Sequence, residues 1–127
     1  MRHTPFALFS VIAAFLVGCA TSTDPIDRLV ANLSSTYGLW LNGFAPYVDL
    51  PSTASTEEVV SSIFQTSYHK QSPVMSHKIM KVRIVGIQGE RRTAVLVDTN
   101  FGMKIVLLHY EGRLGWSGRI YDADTSG

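Results

Sequence analysis

The hydrophobic residues of the chain follow a helical period in two separate segments. In the first segment they recur at positions i, i+3, i+4 and i+7, the spacing of one helix face, at Ile26, Leu29, Val30 and Leu33. Asp24 is a good N-cap, Pro25 suits the first helical position, and Tyr37-Gly38 is typical of a helix end. The pattern therefore predicts a helix over residues 25–36.

The second helical segment opens with a capping box. Ser55 and Glu58 are spaced so that the serine side chain caps the first turn and the glutamate reaches back to the Ser55 amide. Its apolar face consists of Val59, Val60, Ile63 and Phe64. We expect this helix to end near Ser67, before a polar loop over residues 69–77. Residues 39–51, between the helices, combine apolar and turn residues and predict two short extended pieces joined by a turn.

From residue 78 onward the pattern is that of strands. β-branched or alternating segments cover residues 78–87, 92–99, 103–110 and 116–121. The connections at residues 88–90, 100–102 and 111–115 are short, and short connections require antiparallel neighbours. Residues 105–108 are apolar on both faces, so we expect their strand to be central and covered on both sides.

The order of elements defines an α+β fold: two N-terminal helices followed by a four-stranded antiparallel meander. Over residues 24–121 this order resembles the cystatin-like and nuclear-transport-factor-2-like folds. The resemblance lies in the order of elements and carries no motif or site residue with it. Residues 122–127 are predicted to form a polar tail.

The first residues of the chain have the pattern of a signal peptide. Arg2 supplies a positive charge, and an apolar run over residues 6–17 follows it. As a helix this run is about 18 Å long, short of the roughly 30 Å of a hydrocarbon core. It therefore fits the h-region of a signal peptide better than a membrane span.

Leu16-Val17-Gly18-Cys19 ends this run and resembles the bacterial lipobox. The resemblance implies that signal peptidase II recognises Leu16, Val17 and Gly18, that residues 1–18 are removed, and that Cys19 carries a diacylglycerol. The alternative is an ordinary secretory signal with a chance cysteine.

After such cleavage, residues 19–23 form a lipidated cysteine with a short tether, and residues 24–121 form one domain. Fully extended, residues 20–23 reach at most about 14 Å, which keeps the domain close to the membrane. Ala20 stands where an aspartate would resemble an inner-membrane retention signal, so in a Gram-negative host we expect the periplasmic face of the outer membrane.

Charge and cysteine content narrow the classes of partner. Loss of Arg2 with the leader leaves as many basic residues as the ten acidic ones. A balanced charge argues against nucleic acid and against electrostatic binding to anionic lipids, so the membrane would be held through acyl chains. Cys19 is the single cysteine, and its acylation leaves no disulfide and no cysteine metal cluster. We expect no metal and no cofactor.

Three histidines are candidates for chemistry, His69, His77 and His109. They lack the i, i+4 spacing and the clustered carboxylates of a zinc site, and we expect solvated loop histidines, with His109 packed at a sheet edge. Asp98 and Glu111 lie near the meander without the spacing of an acid/base pair, and we expect them at strand ends in solvent.

Gly115-Trp116-Ser117-Gly118 partly matches the nucleophile-elbow motif. The second glycine of that motif would stand at position 119, where this chain has arginine. A turn leading into a strand explains it better. Arg91-Arg92 and Arg113 are expected to be solvated turn charges.

The aromatic residues Trp40, Phe44 and Tyr47 are the most suggestive feature. They can form a contact surface for a partner or ligand, or they can simply cover the sheet, as we expect for Trp116.

Three hypotheses follow. The first is a non-enzymatic, lipid-anchored domain that docks another envelope protein. The second is a small-ligand carrier with a pocket between helix and sheet, and the third is a hydrolase that uses His109 with Ser117 or Asp98.

Overall fold

The computed structural model describes residues 24–35, 47–67, 73–74 and 76–123. Several residues with sequence-based predictions lie outside the described residues: residues 16–19, which resemble a lipobox, the aromatic residues Trp40 and Phe44, and His69. In chain order the elements are α1 (Pro25–Ser34), β1 (Tyr47–Val48), α2 (Thr56–Ser67), β2 (His77–Ile87), β3 (Glu90–Thr99), β4 (Gly102–Glu111) and β5 (Gly115–Asp122). Both predicted helices and the four strands of the meander are confirmed.

The sheet has five antiparallel strands in the order β1-β5-β4-β3-β2. The prediction of four strands was wrong by one, because β1 contains two residues and shows no readable alternation. It pairs through Tyr47 with Ser117 and through Val48 with Trp116. β5 also continues through Asp122, one residue into the predicted tail, where Asp122 forms an ion pair with Lys104.

The two helices cover opposite faces of the sheet. α1 packs through Ile26 and Leu33 on one face, called here the α1 face, whose buried residues are Val85, Ile87, Ala94, Leu96, Ile105 and Leu107. α2 packs on the alternate residues, the α2 face, which buries Val95, Val97, Val106 and Leu108. Successive strand residues point to opposite faces, so both halves of the core share one sheet. The expectation that β4 is central and covered on both sides is confirmed.

The helix ends follow the capping chemistry. The Asp24 carboxylate accepts a hydrogen bond from the Ile26 amide at 2.9 Å, and the Ser55 hydroxyl accepts one from the Glu58 amide at 3.1 Å. α1 ends at Ser34, two residues before the predicted end. Its last carbonyls are met by a side chain from the β2–β3 turn, since the Gln88 amide donates to Leu33 O at 2.9 Å.

β2 is the outermost strand, and its pairing with β3 is interrupted once. The register shifts between Ile79 and Lys81, so Met80 is the extra residue of a bulge. From Lys81 to Ile87 each residue pairs in regular antiparallel register, ending at Ile87 opposite Glu90. The bulge therefore divides β2 into an irregular first part and a regular second part.

Candidate docking surface at the edge of the sheet

The α2 face is not covered over its full width. Val82 lies opposite Val95, and Ile84 lies opposite Thr93, so both belong to this face. Val95 is fully buried under α2, whereas Val82 is 49% exposed and Ile84 is 65% exposed. We call these two residues with the following Gly86 the β2 strip. Single exposed apolar residues are common, but two on one face beside an open edge form a surface that a partner can cover.

The backbone edge next to the β2 strip is open. β2 is the terminal strand of the sheet among the residues that the structure describes. Natural sheets commonly protect such edges with bulges, prolines or charged residues. Here the bulge at Met80 protects the first part of β2, while residues 82–87 have neither a proline nor a bulge. The second part of β2 therefore has only the charged residue Arg83 to protect its edge, and Arg83 pairs with Asp24 and Asp27 at the start of α1.

β2 carries basic residues and no acidic residue. On the side of α1, the Lys81 ammonium lies 2.8 Å from Asp24 Oδ2, and the Arg83 guanidinium contacts Asp24 at 3.2 Å and also pairs with Asp27. The hydrogen bond from Lys81 is the main cause that holds the pKa of Asp24 below its ordinary value, with smaller contributions from the Ile26 amide and the nearby charge of Arg83. These ion pairs connect the start of α1 to β2.

A surface groove of about 350 Å³ runs along the β2–β3 hairpin, lined by Ile84, Val85, Gly86, Gly89, Glu90 and Arg91. A smaller hollow of about 150 Å³ shares Ile84 and Arg91 with it and reaches Tyr110 and Trp116. The hollow lies where β3 and β4 stop pairing, beyond the Thr93–Leu108 pair. The groove and hollow therefore continue the exposed surface from the β2 strip across the end of the sheet.

Of the aromatic residues that the sequence predicts as a contact surface, Tyr47 lies within the described residues, and Trp40 and Phe44 do not. Tyr47 is 38% exposed on β1, at the opposite edge from β2, and about 19 Å away at the usual strand spacing. Trp116 has the packing role expected for it: its ring lies 5.2 Å from that of Tyr110, and its indole N–H donates to Pro51 O at 2.9 Å. Tyr47 and the β2 strip are thus separate surfaces.

The β2 strip was not predicted from the sequence, in which residues 78–87 were identified only as a β-branched or alternating strand. The alternation of Val82 and Ile84 with Lys81 and Arg83 was a usable signal, since it marks one apolar and one charged face. That signal does not say which face a helix covers. Here α1 packs on the charged face of β2, and the apolar side chains of β2 on the other face remain exposed.

His77 lies in a contact network rather than in the loop expected for it. Its Nε2 lies 2.5 Å from Glu57 Oε1 and 3.4 Å from the Ser61 hydroxyl, and its ring meets that of Phe64 edge-on. A serine–histidine–carboxylate relay uses both ring nitrogens, one for each partner. Because both partners here contact the same nitrogen, the geometry is that of a hydrogen-bonded contact between α2 and β2.

His109 and Ser117 are cross-strand neighbours on β4 and β5. Asp98 pairs with Met103 on β4, and Met103 lies six residues before His109. Asp98 is therefore roughly 20 Å from His109. The expectation that His109 lies at a sheet edge was wrong, since β4 is interior and His109 lies near its end, 3.3 Å from Glu111. In the described part of the chain, no three His, Cys, Asp or Glu residues are grouped as a metal site would require.

The polar residues Asp98, Glu111 and Arg92 lie near strand ends or within β3. Asp98 and Glu111 are exposed near strand ends, and Gly115 begins a strand after a turn, as predicted. Arg92 was predicted to be a solvated turn charge, but this was wrong. Its side chain is 12% exposed within β3 and lies 3.6 Å from Glu90, because Arg92 pairs with Val85 of β2 inside the sheet rather than lying in the turn.

The elements define an α+β protein in which a five-stranded antiparallel sheet separates two helices. Comparison with models of protein families, with curated proteins and with solved structures gives no match. Of the helices in the described ranges, none has the length and apolar character needed to cross a bilayer.

Proposed function

We propose that this chain is a lipid-anchored, non-enzymatic envelope lipoprotein whose domain docks another envelope protein close to the membrane. The observation that carries the proposal is the β2 strip. Val82 and Ile84 are 49% and 65% exposed beside Val95, which is fully buried under α2, and they border an open strand edge. A partner that covered them would remove apolar surface from water and complete the sheet.

The proposed anchor places this surface near the bilayer. Cys19 would carry the acyl chains, and residues 20–23 would join it to the domain over at most about 14 Å. The domain starts at Asp24, whose carboxylate contacts Lys81 on β2. The tether would therefore enter the domain beside the docking edge, and the partner would be one that is itself at or near the membrane.

Two further hypotheses have less support. A carrier would need an apolar cavity between helix and sheet, whereas Ile63 and Ile26 are fully packed against the sheet on its two faces. In a hydrolase, His109 would act with Ser117 or Asp98. Asp98 lies roughly 20 Å from His109, and His109 Nε2 lies 3.3 Å from the Glu111 carboxylate. The resemblance to cystatin-like and nuclear-transport-factor-2-like folds concerns the order of elements and contributes nothing to the function proposed here.

Site-specific photocrosslinking in intact cells tests the docking proposal. A photoreactive residue at position 84 should give one dominant crosslinked product with another envelope protein. The matched control is position 114, because Leu114 is also apolar and 53% exposed but lies in the β4–β5 turn. If positions 84 and 114 give the same products, or if position 84 gives none, the docking proposal is wrong.

Fatty-acid labelling tests the anchor separately. A radiolabelled palmitate should enter the wild-type chain and should not enter the Cys19→Ser variant. That variant should also keep its leader, since signal peptidase II requires the modified cysteine. A variant that is still processed at the same bond and still fractionates with membranes would contradict lipid anchoring.

A further inference from the structure

We propose that the partner binds as an extended segment that adds to the outer edge of β2 as a sixth strand. Its apolar side chains lie on the α2 face beside the β2 strip, and its acidic side chains lie on the α1 face beside Lys81 and Arg83. This inference rests on the proposed docking function and specifies how the partner is recognised.

The backbone of β2 provides the first part of the argument. Residues 82–87 pair regularly with β3 on their inner side, so their remaining amides and carbonyls face outward in strand geometry. This stretch is about 20 Å long and accommodates a partner strand of ordinary length. Lipid acyl chains offer no hydrogen bonds to such an edge, which favours a polypeptide over a membrane surface as the occupant.

The α2 face provides the second part. An added strand would place alternate side chains next to Val82 and Ile84, which are 49% and 65% exposed on that face. Gly86 follows them in the same row, and a Cβ built there meets nothing within 4 Å. The row therefore leaves room for one larger apolar side chain of the partner above Gly86, in the groove along the hairpin.

The α1 face provides the third part, through unused hydrogen-bond donors. Within the part of the chain that the structure describes, Lys81 donates to Asp24, and Arg83 donates to Asp24 and Asp27. An ammonium has three N–H groups and a guanidinium has five, so both side chains retain donors. Lys81 is 47% exposed and Arg83 is 35% exposed, and carboxylates on the next strand would meet them as cross-strand neighbours.

The same charges argue against a second copy of this chain as the partner. In the register centred on Val82, an antiparallel pairing of β2 with itself would place Lys81 opposite Arg83 of the other copy, and in the register centred on Arg83 it would place the two Arg83 side chains opposite each other. β2 has no acidic residue to offset this repulsion. In the register centred on Ile84 the basic residues are not opposed, but Arg83 meets Val85 and gains no acidic partner. The occupant that fits is an extended segment of another protein in which apolar and acidic residues alternate.

Synthetic peptides test the inference on the full-length chain in detergent micelles. The probe is an eight-residue peptide, blocked at both ends, in which valine and glutamate alternate. We expect saturable binding with amide chemical-shift changes concentrated in residues 82–87. We also expect binding at least tenfold weaker for the peptide with lysine in place of glutamate, and for a peptide of the same composition with four valines followed by four glutamates.

N-methylation distinguishes strand addition from simple contact. In a strand, the amides of alternate residues point to the same edge, so methylation of the valine amides blocks one edge and methylation of the glutamate amides blocks the other. Strand addition to β2 predicts that one of these two peptides loses binding and the other retains it. If both bind, or if the shifts lie away from β2, the inference is wrong.

Variants of the protein provide the matched comparison. Ile84→Glu should abolish peptide binding, and Leu114→Glu, an equivalent change at an exposed site away from β2, should not. Equal affinity for the lysine peptide, binding to phosphatidylglycerol vesicles that competes with the peptide, or self-association through β2 in sedimentation would each overturn the inference. A specific crosslink from position 84 in cells without peptide binding would leave the docking function standing and reject strand addition alone.

Discussion

The Lys81 ammonium lies 2.8 Å from Oδ2 of Asp24, while Oδ1 of the same carboxylate accepts the Ile26 amide at 2.9 Å. One side chain thus caps α1 and holds the start of that helix to the outermost strand. At the other end of α1, Gln88 from the β2–β3 turn donates to the helix carbonyls. α1 is about 15 Å long and is therefore fixed to the same hairpin at both ends.

Replacement of Asp24 should separate its capping role from its charge. At neutral pH, Asp24→Ala removes the helix cap and the ion pairs with Lys81 and Arg83. We expect it to lower the free energy of unfolding by about 2 kcal/mol. Asp24→Asn keeps a capping oxygen and should cost less. Urea titrations followed by circular dichroism measure both values.

The same variants have a defined pH dependence. The pKa of Asp24 in the folded protein is held below its ordinary value of 3.8, so its ionised form stabilises the fold. This contribution is fully present above the ordinary value and is lost as the pH falls through the lower folded value. The stability difference between wild type and Asp24→Asn should therefore shrink on acidification below about pH 4. A difference that does not change with pH would contradict the role assigned to the carboxylate.

Gln88 has a strained backbone conformation, and its side chain caps the end of α1. Its φ is 50°, a left-handed value that glycine adopts without strain. Gln88→Ala loses the bonds to Leu33 and Ser34 and keeps the strain, whereas Gln88→Gly loses the bonds and relieves it. We expect the alanine variant to be less stable than the glycine variant by about 1 kcal/mol. Hydrogen exchange should be faster in the last turn of α1 in both; unchanged exchange there would argue against capping by Gln88.

Three glycines in β-strands should respond differently to alanine. At Gly115, which has φ +93°, a Cβ would lie 2.1 Å from Val48 O, so we expect loss of β1 pairing and severe destabilisation. At Gly118 a Cβ would lie 3.1 Å from the side chains of Ile63 on α2 and of Val106 and Leu108 on β4, so we expect a loss of about 1–3 kcal/mol. Gly86→Ala is the control, since that Cβ meets nothing, and it should be neutral or slightly stabilising. Thermal unfolding should rank the variants in this order, and equal melting temperatures would contradict the close approaches described.

Three isoleucines test the description of core and surface. Ile26 and Ile63 are buried on opposite faces of the sheet, and truncation of either to alanine should cost about 2–5 kcal/mol. Ile84→Ala should cost less than about 1 kcal/mol, because Ile84 is mostly exposed. Chemical denaturation measures all three. A loss at Ile84 comparable to that at Ile63 would mean that this residue belongs to the core and would remove the basis of the docking surface.

Local patterns were enough to predict most elements of this fold. The Asp24 cap, the Ser55 capping box and the apolar stripes behind them located both helices, and the short turns required antiparallel strands. The four apolar residues at 105–108 indicated a strand covered on both faces, as β4 is. Each of these signals depends on neighbours within a few residues, which is the range over which sequence dictates backbone geometry.

Contacts between residues distant in the chain decided the rest. β1 has two residues and exists because Gly115, far along the chain, lets the Val48 backbone approach. The burial of Arg92 and the pairing of His77 with Glu57 likewise depend on which strand or helix lies alongside. The alternation in β2 determined that one face is apolar and the other basic. Only the tertiary structure placed α1 on the basic face and left Val82 and Ile84 outside the area that α2 covers. Which face a helix covers depends on the packing of the whole sheet, and no local spacing encodes it.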